Sequence, residues 1–401
     1  MKRKALRKNT IREIKGSFGR YIAILAIVAL GVGFFSGLKV TKEAMIATGD
    51  DYFRNNALYD FRLISTLGLS DEDAEEIKKL DFVKEAEGAY GTDALIQRGS
   101  KTVNAAKLLS ISDTINKVIL TEGRMPEAPN ECLGDSDWFS SASIGEKITL
   151  PESNSESTLN SLNYTEFTVV GRCRSPLYVH FERGNTSLGN GKLSGFVYLM
   201  PEAFKSDYYS DIYVLTESGK EQIYSEAYND GIDLETPVIE EKLEKLAADR
   251  YEDLKAVFGP YAPKPDTYVL TRNVNIGYAS FENDSSIVEG IGNVFPIFFF
   301  LVAALVCMTT MNRMVEEKRT EIGVMKALGY KESLIMGKFL FYSGSAAIVG
   351  AVSGFIVGSK IFPYVIWHAY GILYNMPEIK FVINPVLATV SMIVAVICSM
   401  G

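Results

Sequence analysis

The sequence predicts an α-helical multi-pass membrane protein: four transmembrane helices, with a large α+β extracytoplasmic domain between the first and the second. Three observations predict it. Residues 21–38, 291–312, 339–359 and 381–401 contain no charged side chain. Each run is about 18–22 residues long, close to what a helix needs to cross a bilayer core. A buried helix in a water-soluble core accounts for one such run but poorly for four.

The second observation is where the cations lie. Residues 1–20 carry Lys2, Arg3, Lys4, Arg7, Lys8, Arg12, Lys15 and Arg20 against Glu13 alone, and residues 313–338 carry Arg313, Lys318, Arg319, Lys326, Lys331 and Lys338. Cytoplasmic segments are enriched in Lys and Arg, so both are expected inside. The third is the acidity of what lies between. Residues 39–290 hold 43 acidic and 25 basic side chains, a net of −18. Such a surface argues against nucleic acid and against docking on anionic lipid.

Taken in order, residues 1–20 read as a basic cytoplasmic segment and 21–38 as the first span. A cleaved leader is disfavoured, because the apolar run exceeds the roughly 7–15 residues of a signal core and Ala44 and Ala47 make no small-x-small site. The 39–290 domain opens with a strand over 58–66. Ser70 then offers an N-cap to DEDAEEIKKL, whose Asp71, Glu72 and Asp73 suit the positive end of a helix. Alternating segments follow over 82–110, and strands are expected at KITL, FTVVG, 195–200 and 211–216. Over 237–258, Ile239, Leu243, Leu246, Leu254 and Val257 form one stripe, which predicts an amphipathic helix packed on a neighbour. The second span (291–312), the 313–338 loop, the third span (339–359), an outer loop (360–380) and the fourth apolar run (381–401) complete the chain. That last run has no basic tail to close it, which reads as a truncated product.

Chemistry is sparse. Cys307 and Cys398 fall in spans and read as small apolar side chains. Cys132 and Cys173 share the outer domain, where a disulfide is permitted, though their spacing does not decide it. His180 and His368 have no ligand partner nearby in sequence, so no metal is expected. No side chain stands out as a nucleophile beside a base, and no cofactor site is expected. The string GNTSLGNGKLS has Thr186 and Leu193 where a P-loop needs Gly and Ser or Thr, so it reads as a flexible loop. No charge sits mid-span, which argues against an ion-coupled transporter. Ala346, Gly350, Gly354 and Gly358 recur at four-residue spacing, a stripe for close helix contact either within the chain or with a second copy. Gly31, Gly33 and Gly37 can serve the same contact.

The most informative stretch is RMVEEKRTEIGVMKALGY. Val315, Ile322, Met325 and Leu328 form one apolar face, Glu317, Arg319 and Lys326 turn to water, and Gly329 suits the left-handed residue that ends a helix. A helix lying on the membrane and a helix seated in a partner's groove both fit. This stretch resembles the loop of FtsX-like (MacB-type) ABC permeases, matched by Arg319, Glu321, Ile322, Gly323, Lys326, Ala327, Leu328 and Gly329. EGRMPEAPNECLGD, SIGEKITL and FTVVG resemble that family's outer domain, except that Glu146 follows Gly145 where Asp is usual. SPLY, RGNTSLGNGKLSGFVYL and VFPIFFFLVAALV resemble its large Gram-positive subset. A long outer coiled coil and a second four-helix unit, found in many of that subset, are missing, so either a paired permease subunit completes the chain or it is a fragment.

The resemblance implies a permease driven by a separate cytoplasmic ABC ATPase and moving its outer domain to export a lipid, lipoprotein, peptide or drug. It implies a second permease copy or paired subunit in the bilayer, and ATPase contacts at Arg319, Glu321, Ile322, Met325, Leu328 and Gly329. With no P-loop, the chain is not expected to be an enzyme. The rival reading is a non-transporting regulator that signals to a cell-wall hydrolase or a sensor kinase. A one-chain receptor fits less well, because three apolar runs follow the outer domain and no long cytoplasmic output domain does.

Overall fold

The computed structural model describes residues 12, 14–99 and 102–400. Lys2, Arg3, Lys4, Arg7 and Lys8 of the basic segment, with Glu13 and Gly401, lie outside the described residues. In chain order the elements are α1 (Phe18–Asn55), β1 (Phe61–Ser65), α2 (Asp71–Lys78), β2 (Val83–Ala89), β3 (Gly91–Arg98), β4 (Thr102–Ser110), β5 (Ile119–Gly123), β6 (Glu131–Asp135) and β7 (Lys147–Thr149). There follow α3 (Glu156–Asn160), β8 (Glu166–Arg174), β9 (Gly195–Leu199), β10 (Asp211–Thr216), α4 (Glu226–Phe258), β11 (Thr267–Thr271), α5 (Ile276–Glu317), α6 (Arg319–Ala327), α7 (Glu332–Tyr370) and α8 (Pro385–Met400). They form a helical unit (1–48, 284–370 and 378–401) and a β-rich unit (49–283 and 371–377).

Among the described residues, three helices are long and apolar enough to cross a membrane: α1 with 38 residues, α5 with 42 and α7 with 39. At 1.5 Å per residue each exceeds about 55 Å, so the boundaries expected at 38/39, 290/291 and 359/360 fall inside helices. The fourth apolar run differs from expectation. Its first residues are not helical, because Asn384 caps α8 by accepting the Leu387 N–H at 3.0 Å and Pro385 takes the first helical position. Helix α8 then takes up the 16 residues Pro385–Met400, about 24 Å.

The small-residue stripe packs within the chain. A Cβ on Gly350 would stand 2.5 Å from the Leu25 carbonyl oxygen, one on Gly354 2.3 Å from that of Ala29, and one on Gly358 2.3 Å from that of Gly33. Helix α7 therefore lies backbone to backbone on α1, and Gly33 and Gly37 meet Gly354 and Gly358 from the other side. Gly31 instead faces Phe299 and Phe300 of α5. The stripe is thus occupied by α1, and the alternative of a seam with a second copy is corrected.

In the β-rich unit, β11-β1-β10-β2 make a four-stranded sheet and β5-β8-β6-β9-β4-β3-β7 a seven-stranded one. Strand β7 pairs with both β3 and β8, so the larger sheet closes on itself around Ile96, Leu108, Phe139, Ile148, Phe167 and Val197. Helix α2 starts as the sequence indicates, with a reciprocal Ser70–Asp73 capping box. Helix α4 starts earlier than expected, capped by Ser225, and carries Pro237 inside it. Its stripe holds only in part. Ile239 and Leu243 are buried on the four-stranded sheet with Leu246 against them, whereas Val257 is 76% exposed. A 33-residue helix runs about 50 Å, and strands of five to seven residues span less than half of that.

Cys132 and Cys173 are both buried free thiols. Strand β6 runs parallel to β8 with Cys173 opposite Asp135, three residues beyond Cys132. That offset of about 10 Å along the strand is too far for a disulfide, which corrects the bridge the sequence left open.

Residues 371–377, expected in an outer loop, are built into the β-rich unit. The Asn375 side chain donates to Asp137 Oδ1 at 2.6 Å, its backbone N–H donates to the Val179 carbonyl at 2.8 Å, and the Phe181 N–H donates to the Leu373 carbonyl at 2.8 Å. Tyr374 is buried there between His180 and Phe281.

Candidate coupling site

The loop between the second and third apolar runs is a short helix held between two long ones. Helix α6 ends in a full Schellman arrangement. Gly329 has φ +77°, its N–H donates to the Lys326 carbonyl at 3.0 Å, and the Tyr330 N–H donates to the Met325 carbonyl at 3.1 Å. The glycine read as a helix stop is therefore required by its backbone angle.

The six residues expected to contact a partner divide between two faces and a cap. Met325 is buried in the helical-unit core with Ile24, Val28, Met314 and Ile335, and Ile322 packs against that core. Glu321 is held by its own chain: Lys338, whose side chain is 2% exposed, reaches its Oε1 at 3.0 Å, and Lys318 reaches Oε2 at 3.2 Å. These three seat the helix on its own unit, and Ile322 alone of them also reaches the groove beside it. Leu328 and Arg319 are exposed, Leu328 at 65%, and Gly329 closes the cap. Val324, not singled out from the sequence, is exposed beside Leu328 at 54%.

Next to this outer face lies a groove of about 380 Å³. Its apolar walls are Val315 at the end of α5, Ile322 of α6, and Ile335, Met336, Phe339 and Leu340 of α7. Lys326 and Glu332 stand at its edge, paired at 2.7 Å. The ends of α1 and α5 are joined by Arg20, which forks onto Glu317 at 2.7 and 2.9 Å. Such a bidentate pair fixes orientation as well as distance. Sequence reasoning missed this pair and the Glu321–Lys338 pair. Their partners stand 297 and 17 residues apart, and the only signal was an excess of charge at the ends of apolar runs.

The outer-domain motifs turn out to be architectural. A Cβ on Gly123 would lie 2.3 Å from the Val170 carbonyl oxygen, and one on Gly171 2.6 Å from that of Arg124, so GR and VVG let β5 and β8 meet. Arg124 forks onto Glu131 at 2.7 and 2.5 Å, and the Glu127 N–H donates to the same carboxylate at 2.8 Å. The Arg124 bonds above all, then the Glu127 N–H, hold the Glu131 carboxyl down at about 2.

Residues 293–400 match the family described as FtsX-like permease C-terminal. Among solved structures, the extracellular domain of the noncanonic ABC-type transporter YknZ from Gram-positive bacteria is 11% identical, covering 52% of this chain and 98% of that one at a TM-score of 0.28. The periplasmic region of MacB from Actinobacillus actinomycetemcomitans is 12% identical, covering 58% and 94% at a TM-score of 0.30. No curated protein matches the chain.

Proposed function

We propose that this chain, whose residues 293–400 match the FtsX-like permease C-terminal family, is the membrane subunit of an ABC transporter, working with a separate cytoplasmic ATPase. The observation that carries the reading is the divided α6. One face is locked into the helical unit through Met325, Ile322 and Glu321, and the other presents Val324, Leu328 and Arg319. A helix fixed on one side and open on the other passes a push from a soluble partner to α5 and α7, between which it is strung. In this reading the ATPase seats Leu328 and Val324 in an apolar pocket and the groove edge sets register. The chain itself does not turn over ATP.

In the proposed topology the 313–338 loop is cytoplasmic and the β-rich domain is outside. The capture of residues 371–377 by that domain supports this, since it puts the connection after α7 on the domain's side. The cargo is a lipid, lipoprotein, peptide or drug, the classes the family resemblance implies, moved as the outer domain is reshaped. A second permease copy or a paired subunit completes the assembly.

One experiment tests the core of this. The ATPase should co-purify with the chain in detergent, and Leu328→Ala should weaken retention by about 1–2 kcal/mol, roughly tenfold. Glu321→Lys should loosen α6 from inside by facing Lys338, lowering the melting temperature as well as retention. Wild-type retention by correctly inserted Leu328→Ala and Val324→Ala would remove the docking assignment. For topology, an impermeant thiol reagent on intact cells should label Ser155→Cys and Asn190→Cys but not Lys326→Cys, and the reverse pattern would invert the chain.

A further inference from the structure

A cleft of about 230 Å³ opens in the β-rich unit between its two sheets. Arg62 of β1 and Tyr213 of β10 line it from the four-stranded sheet, Asp93 of β3 and Lys107 of β4 from the closed sheet, and Tyr178 and Arg183 from the β8–β9 connection.

Several of these groups have hydrogen-bonding capacity left over. Tyr213 is only 4% exposed, yet its hydroxyl bonds no described residue, and the Tyr178 hydroxyl likewise has no partner among the described residues. Both hydroxyls are open to a molecule in the cleft, to which each can donate or accept. Arg62 gives its Nε to Asp211 Oδ1 at 2.5 Å. That bond leaves the two terminal nitrogens of the guanidinium as a fork with no acceptor among the described residues. Lys107 meets Asp93 at 3.0 Å and keeps further donors. Arg183 is different, because Asp135, Asp137 and the Tyr178 and His180 carbonyls take all its capacity.

Asp93 Oδ1, buried beside Lys107, has no hydrogen bond of its own, but the Arg62 fork, the Lys107 ammonium and the two hydroxyls leave donors in excess, which favours a ligand rich in acceptor oxygens. Along the lining, Arg62, Lys107 and Arg183 outnumber Asp93 and Glu182 by one, within a domain of net −18. That small local excess, with Asp211 already behind Arg62, suits one negative charge and no more. A planar fork fits the two oxygens of a carboxylate. The rings of Tyr59, Tyr178 and Tyr213 offer an apolar wall. The volume equals about eight waters at ~30 Å³ each, room for a molecule of about ten heavy atoms.

We propose that this cleft binds a small aromatic or apolar monocarboxylate, its oxygens on the Arg62 fork and the Tyr213 and Tyr178 hydroxyls. The site stands independently of the permease reading and would give the outer domain a ligand of its own.

The test is calorimetric titration of the full chain in detergent with benzoate, and with benzamide, which keeps the ring and loses the charge. Benzoate should bind and benzamide should bind about tenfold more weakly or not at all. Tyr213→Phe should weaken benzoate about fivefold to tenfold without lowering the melting temperature, because its hydroxyl has no protein partner to lose. Arg62→Lys keeps the charge beside Asp211, removes the fork and should weaken benzoate further. Equal affinity for benzamide, undiminished benzoate binding by the Tyr213→Phe/Arg62→Lys double variant, or no benzoate binding at about ten millimolar would each overturn the proposal.

Discussion

The helical unit and the β-rich unit fix their elements in opposite ways. In the helical unit, α7 lies on α1 where side chains are missing, with Gly350, Gly354 and Gly358 against carbonyl oxygens of Leu25, Ala29 and Gly33. In the β-rich unit the fixed points are buried charges. Arg272, between β11 and α5, pairs with Asp60 at 3.0 Å with both side chains nearly inaccessible, and donates to the Tyr59 and Leu58 carbonyls at 2.7 and 2.8 Å. Asp60 also accepts the Thr216 N–H at 2.9 Å and the Tyr228 hydroxyl at 3.1 Å.

The contrast follows from the solvent each unit is built for. Between helices in lipid there is no apolar area to remove from water, so close backbone approach supplies the attraction. In a water-facing domain the apolar core supplies the drive, and a satisfied buried ion pair adds position rather than net stability. A glycine seam is therefore sensitive to any added atom, and a buried pair to the loss of one partner.

Removing one partner of the buried pair should have the largest effect. Arg272→Met leaves Asp60 charged and uncompensated, and should lower stability by about 3–5 kcal/mol. Adding Asp60→Asn should restore much of that loss. Chemical denaturation of the two variants measures it; equal losses for single and double would mean that the pair is not what positions β1 and β11.

The seam should give the next largest effect, and it offers an internal control. Gly354→Ala puts a Cβ against the Ala29 carbonyl with nowhere to go, and should cost about 1–3 kcal/mol. Gly337→Ala lies in the same helix with nothing within 4 Å of its Cβ, and should stabilise by about 0.5–1 kcal/mol. Opposite shifts in melting temperature from one chemical change would sharpen the contrast. Shifts of the same sign would break it.

The smallest effect belongs to the Arg124–Glu131 pair. Its carboxyl is depressed when folded, so its stabilisation is present above the ordinary Glu value near 4.3 and is lost as pH falls toward about 2. Glu131→Gln should flatten the pH dependence of melting in that window and leave neutral pH little changed. An unchanged acid limb would show that the pair does not link folding to pH.

Much of the architecture was legible because short-range rules decide it. Ser70 with Asp73, and Gly329 after an apolar turn, are helix signals written in neighbouring residues. The three long apolar helices follow from charge-free runs. Partner choice was not legible. Ala346, Gly350, Gly354 and Gly358 read as packing residues whose partner was open; the fold supplies α1. Glu321 looked like a contact for another protein until Lys338 was found beside it.

Sequence alone determined where α2 starts, where α6 stops, which runs are apolar enough to enter a bilayer, and that the domain between two of them is acidic. Those properties depend on backbone preference and solvation over a few adjacent residues. Only the tertiary structure decided that Cys132 and Cys173 stand apart on neighbouring strands, that the far half of the α4 stripe has no sheet to cover, and which face of α6 is free. Each of these depends on what a residue meets across tens or hundreds of positions, and local pattern carries no record of that.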